Sequence, residues 1–163
     1  MNRKLRSAAL LVAAPTALCL NLVATGPASA SAHAALACTT AGPIEINGFA
    51  FNPAQVFAGQ SSTADLITTN CTNTSVTTSE QWTGQWISLS GTGFPAGCPV
   101  IDPFIRSATY APGQELAENT TYLVPAACQA TELAVTVRIS VGAGTPGVTA
   151  TAYLKIEHVT PVS

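Results

Sequence analysis

Two stretches near the C-terminus alternate apolar and polar residues with a strict period of two. Leu133 to Val141 places an aliphatic residue at every second position, and Val148 to Ile156 alternates apolar and polar residues in the same way. This period over nine residues is that of a β-strand with one face buried and the other in water. The connection, Gly142 to Gly147, has the glycines and proline of a turn. The pair predicts an antiparallel hairpin whose aliphatic rows face an opposing sheet.

Weaker versions of the same pattern predict five further strands, separated by turn sequences rich in Gly, Pro and Asn. These strands are Pro43–Phe51, Ser61–Asn70, Val76–Leu89, Phe104–Tyr110 and Thr120–Val124. No stretch behind the first thirty residues combines a helical period with capping residues. We therefore predict an all-β fold, an immunoglobulin-like antiparallel β-sandwich of about seven strands.

The N-terminus has the three zones of a secretory signal peptide. A basic start at residues 3–6 precedes the apolar stretch Ala8–Val23 and the small-residue sequence Ala28-Ser29-Ala30. Pro15 inside the apolar stretch argues against a membrane anchor. We expect residues 1–30 to be a signal peptide, residues 31–37 a flexible tail and residues 38–163 the sandwich domain. Cleavage after Ala32 or Ala34 also fits, and the product is expected to be extracellular, either free or associated with the cell wall.

The charge of the mature part limits its partners. The roughly 130 residues behind the signal keep three basic and eight acidic side chains, a net charge of −5. An acidic domain with no basic cluster is poorly suited to nucleic acid and to anionic membrane surfaces. The expected partner, if any, is a cell-wall or extracellular glycan or a protein.

Four of the five cysteines remain once Cys19 leaves with the signal. An even number in an exported chain predicts two disulfides, and gaps of about thirty residues do not fit a zinc site. If the strands alternate in direction, Cys38 and Cys71 fall at one end of the sandwich and Cys98 and Cys128 at the other. Of the three possible connectivities, this favours Cys38–Cys71 and Cys98–Cys128.

Trp82 and Trp86 lie four residues apart on the predicted third strand. Side chains at that spacing share a face, roughly 13 Å apart at about 3.3 Å per residue, and two such indoles could stack on sugar rings. The competing interpretation makes one of them the core tryptophan of an immunoglobulin-like third strand, with a bulge at Gly84 separating their directions. The core interpretation is favoured, and carbohydrate or small-ligand binding through Trp82 and Trp86 stays as an alternative.

The residue types that carry catalysis are sparse and scattered. His33 falls in the tail and His158 near the chain end, neither with the partners that histidine-dependent catalysis needs. Asp102, Glu115 and Glu118 show neither a calcium-loop pattern nor a recognisable carboxylate pair, and are interpreted as solvated loop charges. We expect no enzyme activity, no cofactor and no metal.

Two short segments resemble known sandwich families. Ile46-Asn47-Gly48-Phe49-Ala50-Phe51-Asn52-Pro53, followed by Ala58-Gly59-Gln60 and Thr69-Asn70, resembles the first two strands of cupredoxin-type copper proteins. The resemblance implies a Greek-key sandwich but not copper, because the methionine and the late Cys–His cluster that hold the metal are missing. Gly59-Gln60 and Tyr110-Ala111-Pro112-Gly113-Gln114 are similar to turns in CARDB-type immunoglobulin-like modules, which implies adhesion by analogy of fold.

A third segment, Cys98-Pro99-Val100-Ile101-Asp102-Pro103, is similar to the reactive-site segment of secreted subtilisin inhibitors, which are also small exported proteins with two disulfides. This similarity implies an inhibitor loop comprising Pro99, Val100, Ile101 and Asp102. The function we expect first is a secreted, non-catalytic module, structural or adhesive at the cell exterior. Protease inhibition is the second alternative, beside ligand binding through the tryptophans.

Overall fold

The computed structural model describes residues 38–89, 93–142 and 146–159, and in these ranges it is all-β without a helix. The predicted signal peptide and tail, with His33, lie outside the described residues. Eight strands are present: β1 (Ile44–Asn52), β2 (Gln55–Phe57), β3 (Ser61–Asn70), β4 (Val76–Ile87), β5 (Phe104–Tyr110), β6 (Glu115–Leu123), β7 (Glu132–Ser140) and β8 (Val148–Glu157).

The strands form two sheets. The smaller has the order β1-β3-β6 and the larger the order β2-β8-β7-β4-β5. Neighbouring strands are antiparallel except for β2 and β8, which run parallel. Five connections cross from one sheet to the other: β1–β2, β2–β3, β3–β4, β5–β6 and β6–β7. The chain therefore ties the two sheets together repeatedly.

The predicted C-terminal hairpin is confirmed as β7 and β8. Leu133 pairs with Leu154 and Ile139 with Val148 across the hairpin. The alternate residues of β7 from Leu133 to Ile139 are buried, as are those of β8 from Ala152 to Ile156, while Tyr153 is exposed. The period of two therefore separates a core face from a solvent face, as the pattern predicts.

The prediction missed β2 and part of β6. β2 is three residues long with one buried side chain, Val56, which is too short for a pattern to show. β6 begins at Glu115, five residues before the predicted start at Thr120. Its inward positions there are Leu116, Glu118 and Thr120, so only one of the three is apolar. Polar residues at inward positions hide the alternation that marks a strand.

The core lies between the sheets around Trp82. The Trp82 ring meets Phe49 of the opposite sheet edge to face, with centroids 5.4 Å apart, and stacks on Phe104 at 5.8 Å. Pairs in these geometries add about 0.5–1.5 kcal/mol each beyond the burial of their surface. The aliphatic rows of β7 and β8 continue this core along the larger sheet.

The structure confirms the favoured cysteine pairing, Cys38–Cys71 and Cys98–Cys128. The first bond lies at the end of the molecule where Ile44 pairs with Asn70, and the second at the opposite end, where Ile87 pairs with Glu132. Two disulfides indicate an oxidising compartment. Among the described residues, no helix could span a membrane.

Candidate functional site

Both tryptophans face the core. Trp82 is 0% and Trp86 4% exposed, and the pairing of β4 with β7 continues through Gly84 without a bulge. The favoured interpretation of a core tryptophan therefore holds, and it extends to both residues, whereas the alternative of exposed indoles and the bulge at Gly84 do not match the structure. Because neither ring is accessible, the structure offers no stacking surface for a sugar on Trp82 or Trp86.

Gly84 makes room for the chain that follows β4. It lies between the two tryptophans on the inward face, and a Cβ there would come 2.9 Å from the Cδ1 and Cγ2 atoms of Ile101. Such a distance is far below van der Waals contact. The missing side chain thus lets Ile101 pack onto β4 and close the core at this point.

The connection from β4 to β5 is a surface loop with three anchors besides Ile101. Trp86 Nε1 donates a hydrogen bond to the Pro99 carbonyl at 2.7 Å, and Gln129 N donates one to the Ala96 carbonyl at 2.9 Å. The Cys98–Cys128 disulfide is the third anchor. The loop therefore has fixed points in the core, in the β6–β7 connection and at a covalent bond.

Large apolar side chains project from this anchored loop. Val100 is 75% exposed, Phe94 61% and Leu89 89%. Of the predicted inhibitor loop, Pro99, Val100 and Asp102 are on the surface and Ile101 is half-buried. We call Leu89, Phe94 and Val100 the apolar loop surface.

A second group of side chains, which the sequence analysis missed, lies between the sheets. Glu80 of β4 is fully buried, and the Tyr110 hydroxyl donates to its Oε1 atom at 3.0 Å. Since the tyrosine proton is used there, the Thr68 hydroxyl at 2.9 Å is the donor to the Tyr110 oxygen. Glu118 and Arg106 border this chain of bonds, and we call the five residues the carboxyl cluster.

Glu118 reaches the cluster from β6, in the other sheet. Burial is the main cause that raises the pKa of its carboxyl to about 7, with the hydrogen bond and charge of Glu80 adding to it and Arg106 opposing it. One oxygen of each carboxyl, Oε2, is buried without a hydrogen-bond donor among the described residues. Two ionised carboxylates have no proton to share, so a contact between them requires that one be protonated.

Arg106 spans the two sheets beside these carboxyls. Its guanidinium carbon lies 5.3 Å from the centroid of the Trp82 ring and 5.0 Å from that of Phe104. Its nitrogens donate to the Asn119 carbonyl at 2.9 Å and to Thr120 Oγ1 at 2.7 Å, both on β6. The guanidinium thus ties the edge strand β5 to the edge strand β6.

The carboxyl cluster differs from the carboxyl pair of glycosidases. Glycosidases keep two reachable carboxyls about 5–9.5 Å apart around the scissile bond, whereas Glu80 is closed off in the core. The interpretation of the acidic residues as solvated loop charges is wrong for Glu118, which lies on a strand and faces inward. Asp102 is exposed in a loop, and Glu115 is exposed but belongs to β6. The sequence did contain one indication that Glu80 is buried. Glu80 lies two residues before Trp82 on β4, so the two side chains are on the same face of the strand.

Glu45 sits beside the first disulfide. Its carboxylate accepts hydrogen bonds from the Thr39 amide and hydroxyl, both at 2.6 Å, and the Thr39 hydroxyl is the main cause that lowers the pKa of Glu45. Glu45, Cys38 and Cys71 are close enough for their ligand atoms to share an ion. Because the two sulfurs are bonded to each other, they are not thiolate ligands, and the carboxylate serves to hold the segment before β1.

The fold and the cysteine pairs define a disulfide-bonded, two-sheet β protein. No family model and no curated protein matches the chain. Among solved structures it is similar to the Pseudomonas fluorescens alkylpurine DNA glycosylase AlkC bound to DNA containing an abasic site analog, with a TM-score of 0.51 and 8% identity. That match covers 74% of this chain and 32% of the glycosylase.

Two further solved structures are similar to the chain with lower TM-scores. The sporulation control protein Spo0M from Bacillus subtilis is 16% identical, with 71% of this chain and 50% of that one covered and a TM-score of 0.46. The C-terminal domain of wzt is 8% identical, with 73% and 76% covered and a TM-score of 0.47. The chain thus spans a third and a half of the first two proteins. These likenesses concern the fold alone and do not indicate the cupredoxin or CARDB-type families.

Proposed function

We propose that this chain is a secreted, non-catalytic, immunoglobulin-like module with a structural or adhesive role at the cell exterior. The observation that carries the proposal is the apolar loop surface, where large apolar side chains stand exposed on a loop fixed by the core and by a disulfide. Apolar groups held on an anchored loop are suited to contact with another macromolecule. The two disulfides and the predicted signal peptide support the location.

The strand order supports the immunoglobulin-like assignment. In immunoglobulin lettering, β1, β3 and β6 correspond to A, B and E, and β8, β7, β4 and β5 to G, F, C and C′. Trp82 on β4 then takes the place of the buried tryptophan of strand C. The disulfides differ from those of antibody domains, because they close the two ends instead of joining the sheets through the centre.

The surroundings of the reactive side chains support a non-catalytic role. The four cysteines described are oxidised, and Glu80 is inaccessible in the core. The His158 ring lies with Nε2 2.8 Å from the Ala130 carbonyl. Within the described part of the chain, these groups are engaged in contacts that hold the structure together.

Binding of the oxidised, exported protein to intact bacterial cells and to insoluble cell-wall glycan tests the proposal. The double variant Phe94→Ser/Val100→Ser removes two of the three side chains of the apolar loop surface and is expected to lower the bound fraction about tenfold or more, since each exposed anchor contributes about 1–2 kcal/mol at an interface. Ile67→Ser/Tyr153→Ser, on the outer faces of the two sheets, is the matched control and keeps binding. Absence of binding by the unmodified protein, or equal binding by both variants, contradicts the adhesive role.

Protease inhibition is the second candidate, favoured by the setting of Val100. It is exposed between two anchored neighbours, because Pro99 accepts the Trp86 hydrogen bond and Ile101 packs on Gly84. Such rigid presentation of one exposed residue lowers the entropy lost when a protease cleft closes on it. Titration of subtilisin with the protein tests this: inhibition that Val100→Gly abolishes supports the role, and full protease activity at micromolar protein excludes it.

A further inference from the structure

We propose that the carboxyl cluster is a proton-dependent contact between the two sheets, in which one proton shared by Glu80 and Glu118 holds β6 against the larger sheet. Loss of that proton loosens this side of the sandwich. The proposal concerns regulation of the fold and does not depend on the proposed adhesive role.

The position of β6 makes it sensitive to the cluster. It is the last strand of its sheet and pairs only with β3. Its inward side chains are Leu116, Glu118, Thr120 and Tyr122, so half of them are polar. An edge strand with so few apolar contacts depends more than the others on polar contacts with the facing sheet.

The groups facing Glu118 cannot neutralise two carboxylates. Glu80 faces it from β4, and Tyr110 and Arg106 face it from β5. Tyr110 gives its proton to Glu80 Oε1, and burial raises its own pKa, so it stays a neutral donor. Arg106 is the one cation of this group, and its guanidinium donates to the Asn119 carbonyl and the Thr120 hydroxyl.

One proton between the carboxyls supplies the missing hydrogen-bond donor and removes the excess negative charge. It provides a donor for the Oε2 atoms that otherwise have none, and it removes one of two like charges from a region of low dielectric. Unpaired buried carboxylates are costly to leave in place, because neither water nor a donor replaces the lost hydration. Once Glu80 and Glu118 are both ionised, opening the space between β5 and β6 to water lowers the free energy, because water then hydrates the carboxylates.

The direction of the pH effect follows from the raised pKa of Glu118. The folded state holds its proton up to about pH 7, while the unfolded chain releases it near the ordinary value of 4.5. The stabilisation is therefore complete below about pH 4.5 and is lost as the pH rises through about 7. The contact between β6 and the larger sheet is therefore expected to be more stable below pH 7 than above it.

Hydrogen exchange of the oxidised, exported protein at pH 5.5 and pH 8.5, corrected for intrinsic rates, tests the proposal. The opening equilibrium of the β6 amides is expected to rise about tenfold or more at pH 8.5, the effect of one pKa unit of differential protonation. The amides of β8, which is separated from Glu80 by β7, are expected to change less. Equal protection of β6 at both pH values overturns the proposal.

Charge-neutral variants separate this mechanism from a general effect of pH. Glu118→Gln keeps the side-chain shape without the negative charge, so it is expected to remove the pH dependence and to retain acid-like protection of β6 at pH 8.5. Glu115→Gln, an exposed carboxylate on the same strand, is the matched control and keeps the wild-type pH profile. An unchanged profile in Glu118→Gln contradicts the shared proton.

A direct titration of the unmodified protein provides a test that does not depend on whether the variants fold. Carbon-13 NMR of the glutamate carboxyls is expected to show one buried group that titrates near pH 7 and shifts Tyr110 in step. Titration of every glutamate near its ordinary pKa overturns the proposal.

Discussion

At the residue scale, a missing side chain decides how the β4–β5 connection packs. Gly84 is the one position on the inward face of β4 without a Cβ, and Ile101 occupies the space between Trp82 and Trp86. A glycine in a strand normally costs stability, because it has no side chain to pack and loses more backbone entropy. Here the close approach of another segment offsets that cost.

Replacing Gly84 by Ala is expected to lower the free energy of unfolding by about 1–2 kcal/mol, since the new Cβ overlaps Ile101 and forces the loop outward. Urea unfolding of the oxidised protein measures the change. The double variant Gly84→Ala/Ile101→Ala is expected to recover part of the loss, which gives a coupling energy for the pair.

Gly48→Ala is the control, because a Cβ at this position would lie 3.9 Å from its nearest neighbour, Ile67 Cδ1, which is an ordinary contact distance. It is expected to be neutral or stabilising by about 0.5 kcal/mol. Similar losses at Gly48 and Gly84 would show that the contact with Ile101 is not the cause.

At the element scale, the apolar residues that alternate along the β7–β8 hairpin form its buried face, and the residues between them form its exposed face. Leu133 and Leu154 are paired and fully buried, whereas Tyr153, one residue along β8, faces solvent. The two faces of the same hairpin should therefore respond to substitution very differently.

Leu133→Ala is expected to cost about 2–5 kcal/mol, because Leu133 is fully buried and its truncation leaves a cavity in the core. Tyr153→Thr places a β-branched residue on the outer face and is expected to change stability by about 0.5 kcal/mol or less. Denaturant midpoints of the two variants provide the comparison. Comparable losses at both positions would mean that the aliphatic rows are not the buried faces.

At the scale of the whole molecule, the two disulfides restrain opposite ends of the two-sheet domain. Their sequence separations are 33 and 30 residues, and they share no strand pair. Because the sites are far apart and independent, their contributions should add.

Replacing Cys98 and Cys128 by Ala is expected to lower the stability by about 3–4 kcal/mol, the loop-closure entropy for a loop of this length, and replacing Cys38 and Cys71 by a similar amount. Removing both approaches the whole stability of a domain of this size, so the cysteine-free chain is expected to be largely unfolded at 37 °C. Circular dichroism during urea titration measures each step. A cysteine-free protein as stable as either single-bridge variant contradicts independent contributions.

The alternation along the chain determined the all-β class and the positions of most strands, and the order of the strands favoured one of the three cysteine pairings. Each of these depends on local periodicity or on the order of strands, and both are written along the chain. The first half of β6 was missed, because a pattern of apolar residues cannot reveal a face that carries Glu118 and Thr120.

Tertiary structure alone decided what the individual side chains do. Trp82 and Trp86 share a face from their spacing, but which face meets the second sheet depends on how the sheets pack. Glu80 and Glu118 are 38 residues apart in sequence and belong to different sheets, so only the packing of β4 against β6 brings their carboxyls together. Periodicity is a property of one strand, whereas a buried pair is a property of two surfaces in contact.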